Sequence, residues 1–351
     1  MSDNQPTMLL TGASGVMGRA LIEEFAPDFD LVGLRHRSMI DDPRVREVRG
    51  DLSHPDLGIA PGELRALARD VDVVVHAGAS TDWRAKSDDV VTTNVGGTRS
   101  VLGFVERSGA PLYHISTAFV IRHRERDPGE EPSGPVAYVE SKVAAEDAVR
   151  ASGLPAVLVR PSIVVGDSRT GQIQAFQGIH KVMSSILKNA LPVLPAEPRS
   201  LIDCIPQDVA ARATGRLVRT GVTGGEYWLT AGDQALTLQE MVETTLSVAD
   251  QLTLDVHRPR MIPTEAVDRL LLPLMEDVIP PALRRQFRGF NQLMMLFQNQ
   301  ATIPCSLPEI GLDVTLTHTA LLAAFRRGVE HLAVRQGLAT PDAFASGEAV
   351  A

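Results

Sequence analysis

The stretch TGASGVMG, residues 11–18, places three glycines between an apolar run and a helical pattern. Gly12, Gly15 and Gly18 have no side chains, which permits a tight turn, close approach of a pyrophosphate to backbone N–H groups, and close packing of the next helix. The positive end of that helix also favours an anion. Because the motif stands in the first strand-helix unit, it predicts a dinucleotide-binding turn, the alternative being an ordinary tight turn.

Beyond this turn, short apolar runs alternate with helical patterns. The predicted strands are residues 7–12, 30–35, 45–50, 71–78, 111–116 and 155–162, and the predicted helices are residues 15–25, 61–68, 89–108 and 138–151. Such alternation is typical of a parallel sheet with helices on both faces. We therefore predict an α/β fold with a doubly wound parallel sheet (Rossmann-like) and a smaller, mostly helical C-terminal substrate lobe.

Composition limits the kinds of partner and site. The chain has 351 residues, 44% of them hydrophobic, and a net charge of -9, so it has a sizeable core and no basic face for nucleic acid. Cys204 and Cys305 are far apart, which suits a reducing compartment and predicts no metal site or disulfide scaffold. No secretory signal or transmembrane segment is evident, so we expect a cytoplasmic protein, and its oligomeric state stays open.

The residues after the second predicted strand bear on the choice of cofactor. A site for NAD usually has an acidic side chain there to bind the ribose 2′-hydroxyl, whereas this chain has LRHRS, with Arg35 and Arg37. Two guanidinium groups favour the additional phosphate of NADPH. The alternative is a solvated basic turn.

Seven motifs in order resemble the extended short-chain dehydrogenase/reductase family. They are TGASGVMG, GDLSHPDLGI, HAGASTDW, NVGGT, HISTAFV, YVESK and RPSIVVGD, within residues 7–232. GDLSHPDLGI, HISTAFV and RPSIVVGD most resemble the branch that contains thioester reductase domains and fatty acyl reductases. The resemblance implies an NADP-dependent oxidoreductase.

Tyr138 and Lys142 lie four residues apart on a predicted helix, so their side chains share one face. The resemblance identifies them, with Thr117, as the catalytic residues. A carbonyl that receives hydride becomes an oxyanion, which needs a proton donor and a hydrogen bond. Tyr138 would donate the proton, Thr117 would bind the substrate oxygen, and Lys142 would hold the nicotinamide ribose and lower the pKa of Tyr138.

The resemblance also implies the cofactor site. Asp51 and Leu52 match positions beside the adenine, and Asn94 matches an asparagine that supports the active site. This branch usually has two alanines where the chain has Ala77 and Gly78. Gly78 therefore departs from the pattern but is still a small residue. The full set of predicted cofactor-binding residues is Gly12, Gly15, Val16, Met17, Gly18, Arg35, Arg37, Asp51, Leu52, Ala77, Gly78, Ala79, Asn94, Lys142, Pro161, Ser162 and Ile163.

The predicted function is NADPH-dependent reduction of an acyl thioester, carried on coenzyme A or an acyl carrier protein, to an aldehyde or onward to the alcohol. The first alternative is reduction of a free ketone or aldehyde, which needs the same catalytic residues. A nucleotide-sugar epimerase or dehydratase is disfavoured because Ala118 and Phe119, rather than acidic residues, follow Thr117. A non-catalytic NADP sensor is disfavoured because the catalytic set is complete. The local basic patch at residues 122–126 is a candidate carrier-docking surface on an otherwise acidic chain.

We expect two interleaved domains. Residues 1–180 and 201–232 are predicted to form the NADP-binding Rossmann-like domain. Residues 181–200 and 233–340 are predicted to form the substrate-binding lobe, and the small, polar residues 341–351 a frayed tail.

Overall fold

The computed structural model describes residues 5–81, 87–123, 134–267, 269, 273, 281–312 and 316–344. Its strands are β1 Thr7–Thr11, β2 Asp30–Arg35, β3 Val45–Arg49, β4 Val73–His76, β5 Leu112–Ile115, β6 Ala156–Pro161, β7 Ile163–Val165, β8 Val193–Pro195, β9 Leu201–Ile202, β10 Cys204–Pro206, β11 Glu226–Leu229, β12 Leu236–Thr237, β13 Arg260–Ile262 and β14 Gln298–Asn299.

The α-helices are α1 Val16–Phe25, α2 Pro61–Asp70, α3 Ser87–Val91, α4 Gly97–Ser108, α5 Pro135–Ser152, α6 Ile179–Leu187, α7 Gln207–Arg219, α8 Leu238–Gln251, α9 Thr264–Ala266, α10 Pro281–Phe297, α11 Leu307–Ile310 and α12 His318–Arg335. A π-helical turn, Thr92–Gly96, lies between α3 and α4. The helix predicted over residues 89–108 is therefore interrupted.

The main sheet has seven parallel strands in the order β11-β6-β5-β4-β1-β2-β3, which confirms the predicted doubly wound fold. Strand order reverses between β1 and β4, where Thr11 pairs with His76. Ligands of such sheets bind beyond the carboxyl ends of the strands at this reversal. The predicted site residues that follow β1, β2, β4, β5 and β6 thus lie along one edge.

Apolar side chains hold this sheet between its helices. Leu9, Val74 and Leu112 of three neighbouring strands are fully buried, and they pack in one cluster with Val101 and Phe104 of α4. Strands of a parallel sheet are covered on both faces, so their sequences read as continuous apolar runs rather than alternating ones. This explains why runs such as VDVVVHAG were recognisable as strands.

The chain divides into two compact units. The first contains residues 1–164, 208–230 and 304–314, and the second contains residues 165–207, 231–303 and 315–351. Within the second unit, α6, α8 and α12 pack together, and β9 pairs with β12 and β14.

These bounds differ from the predicted domains at four places, the smallest being residues 231–232, which belong to the second unit. Residues 304–314 belong to the first unit, because the Ser306 amide donates to the Trp228 carbonyl at 2.8 Å. Residues 201–207 belong to the second unit, where β9 forms its small sheet. Residues 165–180 also belong there, because Gly171 packs against the α12 backbone at Arg327.

Two further features concern the predicted C-terminal tail and the predicted absence of a transmembrane segment. Residues 341–344 of the predicted frayed tail form a 3-10 turn, and residues 345–351 lie outside the described part of the chain. Among the described residues, no helix has the length and apolar character needed to cross a bilayer.

Candidate active site

Two glycines of the first turn are required by close backbone packing. Gly12 directly follows β1 with a φ of +72°, and a Cβ there would lie 2.5 Å from the amide nitrogen of Gly78. A Cβ on Gly18 would overlap the carbonyl oxygen of Gly12. The glycines therefore bring the start of α1 and the loop after β4 close to the end of β1.

The N-terminus of α1 is open to an anion. Gly15 is its exposed N-cap, no side chain caps the helix, and its first turn has no acidic residue. Val16 and Met17 follow in that first turn and are partly exposed. The unpaired N–H groups and the helix dipole together suit a pyrophosphate.

The basic residues after β2 differ in how firmly they are held. Arg35 forms a 2.8 Å ion pair with Glu47 of β3, and both side chains are partly exposed. Arg37 is exposed, with no ion-pair partner in the described part of the chain. One guanidinium is thus fixed against the sheet, and the other is available for a phosphate.

Asp51 follows β3 at the same edge. Its carboxylate lies 3.2 Å from His36 and 3.3 Å from His54, and it accepts a 2.7 Å hydrogen bond from the Ser53 hydroxyl. Partial burial acts to raise the pKa of Asp51, but the Ser53 hydrogen bonds and the nearby imidazoles lower it overall. Leu52 packs on the loop after β4, since a Cβ on Gly78 would lie 2.6 Å from its Cδ1.

Thr117, Tyr138 and Lys142 are buried and come together at the carboxyl end of β5. Thr117 caps the 3-10 turn Ala118–Arg122, and its side chain is hydrogen-bonded to the Tyr138 hydroxyl. The Lys142 ammonium, one turn further along α5, donates to the Ile115 carbonyl at 2.9 Å. Thr117 and Tyr138 are therefore in contact, Lys142 binds the end of the same strand, and the catalytic roles of the three residues stay predictions.

The electrostatics of this group differ from the expectation that Lys142 lowers the pKa of Tyr138. Burial raises the pKa of Tyr138 to about 12, against a smaller lowering by the Thr117 hydrogen bond. Burial lowers the pKa of Lys142 to about 8, against a smaller raising by Glu146. Desolvation of the phenolate therefore dominates, and Tyr138 carries its proton at neutral pH.

Asn94 connects the loop after β4 with α5. It lies in the π-helical turn, and its side-chain oxygen accepts from the Ser80 amide at 2.7 Å. Its side-chain nitrogen donates to the Ser80 carbonyl at 3.1 Å and to the Ser141 hydroxyl at 2.9 Å. Single π turns inside helices are frequent at functional sites. Asn94 thus ties the backbone of Ser80 to α5, and its support of the active site stays a prediction.

The remaining predicted cofactor residues follow β4 and β6. Ala77, Gly78 and Ala79 come directly after β4, and Pro161 ends β6 just before Ser162 and Ile163. The Ser162 amide donates to the Leu229 carbonyl at 3.0 Å, whereas its buried hydroxyl has no hydrogen-bond partner among the described residues. A buried hydroxyl without a partner is costly, which suits a polar ligand group at this position.

Sequence reasoning missed two buried polar residues beside the catalytic group. Glu146, one turn after Lys142, is held by Arg160 and Arg150. His76 ends β4 and is hydrogen-bonded at both ring nitrogens. The signal for Glu146 was its helical spacing of four from Lys142, whereas His76 was indistinguishable from a histidine in an apolar strand.

The residues present fit a nicotinamide dinucleotide. The open helix N-terminus suits its pyrophosphate, and the unpartnered Ser162 hydroxyl suits a polar group at the carboxyl end of β6. The described residues contain no cluster of three or more metal-ligating side chains. Fold and site together define an oxidoreductase of the extended short-chain dehydrogenase/reductase class, built to bind NAD(P).

The family follows from sequence comparison. Residues 30–214, more than half of the chain, match the family described as male sterility protein, and the chain belongs to that NAD-binding family. A hybrid PKS-NRPS synthetase of Xenoacremonium sinensis is 27% identical over 276 residues, which are 70% of this chain and 7% of that protein. The chain thus spans a small fraction of this curated relative.

Solved structures agree on the fold. The terminal R domain of the myxalamid PKS-NRPS biosynthetic pathway has a TM-score of 0.69 at 22% identity, covering 97% of this chain and 93% of that domain. The reductase domain of a nonribosomal peptide synthetase from Mycobacterium tuberculosis has a TM-score of 0.67 at 20% identity, covering 96% and 93%. The predicted resemblance to thioester reductase domains is confirmed.

Proposed function

We propose that the protein is an NADPH-dependent reductase that converts an acyl thioester into an aldehyde. The observation that carries this proposal is the buried group of Thr117, Tyr138 and Lys142 at the carboxyl edge of an NAD(P)-binding sheet. The fold and sequence similarity to reductase domains of PKS and NRPS proteins supports the choice of a thioester. The basic pair Arg35 and Arg37 supports NADPH over NADH.

Tyr138 and Thr117 act on the substrate oxygen. The bound cofactor supplies the hydride that converts the carbonyl into an oxyanion. Tyr138 donates the phenolic proton to that oxygen, and its pKa of about 12 means that the proton is present at neutral pH. Thr117 stabilises the same oxygen by a hydrogen bond, and its hydrogen bond to Tyr138 orients the phenol before the substrate arrives.

Lys142 binds and tunes rather than transfers a proton to the substrate. Its ammonium is held at the end of β5 by the Ile115 carbonyl, and we assign its remaining donors to the ribose of the cofactor. The ammonium would also stabilise the phenolate that Tyr138 becomes once its proton has moved to the substrate oxygen.

Release of the thiol needs no protein nucleophile. The protonated adduct is a hemithioacetal, whose C–S bond breaks to give the aldehyde and the thiol. Cys204 is fully buried, and burial raises its pKa far above the ordinary value. The Cys305 thiol lies 3.1 Å from the Thr230 carbonyl. Neither cysteine is in an environment that activates a thiolate.

The acyl carrier is proposed to be coenzyme A or a carrier protein. The second unit, residues 165–207, 231–303 and 315–351, is proposed to supply substrate selectivity, as the predicted lobe would. In the predicted docking patch, Arg122 lies in the 3-10 turn after Thr117, whereas residues 124–126 lie outside the described part of the chain. The net charge of -9 makes a local basic surface necessary for an acidic carrier.

The test measures NADPH oxidation by the purified chain with a series of acyl-coenzyme A thioesters and with the aldehydes and ketones of the same carbon skeletons. Mass spectrometry identifies each product, and Tyr138→Phe serves as the inactive control. We expect each thioester to give the aldehyde, or the alcohol after a second reduction. Added aldehyde can give only the alcohol, and we expect no product from the ketones. Turnover of ketones without any reaction of thioesters would replace this function by simple carbonyl reduction.

A further inference from the structure

His76 is a buried histidine that bridges two threonines from different elements. It ends β4 and is 1% exposed. Its Nδ1 lies 2.7 Å from the hydroxyl of Thr11 at the end of β1, and its Nε2 lies 3.2 Å from the hydroxyl of Thr98 in α4. The imidazole ring therefore connects the end of β1, next to the glycine turn, with α4.

The neighbouring hydrogen bonds determine where the ring proton is. The Thr98 hydroxyl donates to the Asn94 carbonyl at 2.7 Å, so its proton is used and the Nε2 of His76 must be the donor to it. The Thr11 hydroxyl accepts from the Gly78 amide at 3.2 Å and has its own proton left for Nδ1. His76 is thus the neutral tautomer with its proton on Nε2.

Burial supports the neutral state. Burial, together with a smaller contribution from the nearby Lys142 ammonium, lowers the pKa of His76 to about 3. The adjacent His114 lies with its ring centroid 5.1 Å from that of His76 and is also buried and neutral. A charged imidazole here would repel the Lys142 ammonium, so the neutral ring is compatible with both residues.

The hydrogen bonds continue from Asn94 to the catalytic helix. Its side chain donates to the Ser141 hydroxyl at 2.9 Å, and that hydroxyl donates to the Tyr138 carbonyl at 2.7 Å. One run of hydrogen bonds, with His76 at its centre, thus leads from the Gly78 amide to the Asn94 carbonyl, and a second leads from the Asn94 side chain to the Tyr138 carbonyl. Preorganisation of this kind positions reacting groups without contact to the substrate.

We propose that His76 is a positioning residue, which fixes the Gly78 amide in the cofactor loop through Thr11 and the Asn94 support of Tyr138 through Thr98. This inference rests on the proposed function, because it assigns the loop after β4 to the cofactor and Tyr138 to catalysis. The two hydrogen bonds of the ring have separate consequences. The bond to Thr11 controls cofactor affinity, and the bond to Thr98 controls the rate of the chemical step.

The test uses Thr11→Val and Thr98→Val, which keep the side-chain shape and remove one hydroxyl each, together with the double variant. We expect Thr11→Val to weaken NADPH binding about tenfold with a smaller loss of kcat, and Thr98→Val to lower kcat about tenfold with a smaller loss of affinity, the usual scale for one buried hydrogen bond. NADPH binding is measured by calorimetry without substrate. The double variant should lose less kcat/KM than the product of the two single-variant losses, because both hydroxyls act through the His76 ring.

Thr214→Val is the matched control. Thr214 is also fully buried in the first unit, and its hydroxyl donates to the carbonyl four residues earlier, Ala210, at 2.8 Å. We expect it to leave NADPH affinity and kcat unchanged. Thermal unfolding of each variant separates local effects from loss of folding.

A second readout needs neither cofactor nor substrate. Nitrogen-15 NMR of the imidazole in the ligand-free protein should show a neutral ring protonated at Nε2 at pH 7. A ring protonated at Nδ1, a charged ring, or valine variants that match Thr214→Val would overturn the inference. If the wild-type chain binds NADPH and the NMR result holds but no thioester is reduced, the proposed function fails and the positioning role at the cofactor loop stands.

Discussion

Glu146 and Arg160 form a doubly hydrogen-bonded ion pair inside the first unit. The Arg160 Nε donates to Oε1 of Glu146 at 2.9 Å, and its Nη2 donates to Oε2 at 2.7 Å. Both side chains are buried, and the guanidinium lies 4.5 Å from the Trp228 ring centre. The pair joins α5, one turn after Lys142, to β6, so the catalytic helix is fixed against the sheet.

Removal of one partner should be costly, because the other charge stays buried. We expect Arg160→Met to lower the free energy of unfolding by about 3 kcal/mol, the lower end of the range for broken buried pairs, since Arg150 still binds Glu146. Urea unfolding followed by circular dichroism measures the loss. The half-exposed Arg150→Met should cost less than about 1 kcal/mol. Equal losses for the two variants would show that burial of the pair has no special effect.

The pKa of Lys142, about 8, predicts the alkaline limb of the activity profile. Activity requires the ammonium, so kcat/KM should fall as the pH rises through about 8. Glu146→Gln removes the charge that raises this pKa, so the limb should move to lower pH. The exposed Asp147→Asn is the control and should leave the limb in place. A limb that does not move in Glu146→Gln contradicts the assignment.

The Lys142 contribution to the free energy of unfolding should rise over the pH range in which activity falls. The folded pKa of Lys142, about 8, lies below its ordinary value of 10.5, so the unfolded chain binds more protons between these values. The contribution of Lys142 to the free energy of unfolding therefore rises with pH across that window. Lys142→Met should abolish this rise, which unfolding titrations of both proteins at several pH values would detect.

Lys142→Met should also weaken both NADPH affinity and turnover, because it removes a ribose contact together with the charge beside Tyr138. Calorimetry gives the affinity, and NADPH oxidation gives the turnover. Lys188→Met, at an exposed position of the second unit, should change neither. An unchanged affinity in Lys142→Met would mean that this ammonium does not reach the cofactor.

Tyr138→Phe should bind NADPH almost as wild type does and turn over about a hundredfold or more slowly, the usual effect of losing a positioned acid. Only the phenolic proton and its hydrogen bond to Thr117 are removed. Tyr113→Phe is a matched control, because the Tyr113 hydroxyl donates to the Val222 carbonyl at 2.6 Å in the core. Wild-type turnover in Tyr138→Phe would exclude this residue as the proton donor.

Replacement of Arg35 and Arg37 by alanine should raise the KM for NADPH much more than that for NADH, because charge-assisted hydrogen bonds to the 2′-phosphate are lost. Arg37→Ala alone should account for most of the change, since Arg35 is already paired with Glu47 at 2.8 Å. Steady-state kinetics with both cofactors measure the effect, and Arg65→Ala, at an exposed position of α2, is the control. Equal responses of the two cofactors would identify a solvated basic turn.

Sequence predicted the features that depend on local pattern. The apolar runs that became β1 to β6 were recognisable because both faces of a parallel sheet are covered, and the spacing of Tyr138 and Lys142 placed them on one helical face. The fold and family were therefore predictable, and both are confirmed.

Features that depend on distant partners were not predictable. The π turn at Thr92–Gly96 interrupts an otherwise regular helical pattern, and Asn94 within it meets Ser80 and Ser141, 14 and 47 residues away. The raised pKa of Tyr138 follows from its burial, which a motif does not contain. The roles assigned to the catalytic and cofactor residues remain predictions that the variants above test.

The pairing of Ser306 with Trp228 has a consequence for protein engineering. Besides accepting at its carbonyl, Trp228 donates its amide to the Ser306 hydroxyl at 3.0 Å, so this late segment covers β11, the outermost strand of the main sheet. A truncation before residue 304 would expose that strand, and bare outer strands recruit other chains into aggregates. A shortened form of the protein therefore has to keep residues 304–312 together with β11, because no single cut in the chain separates the first unit from the second.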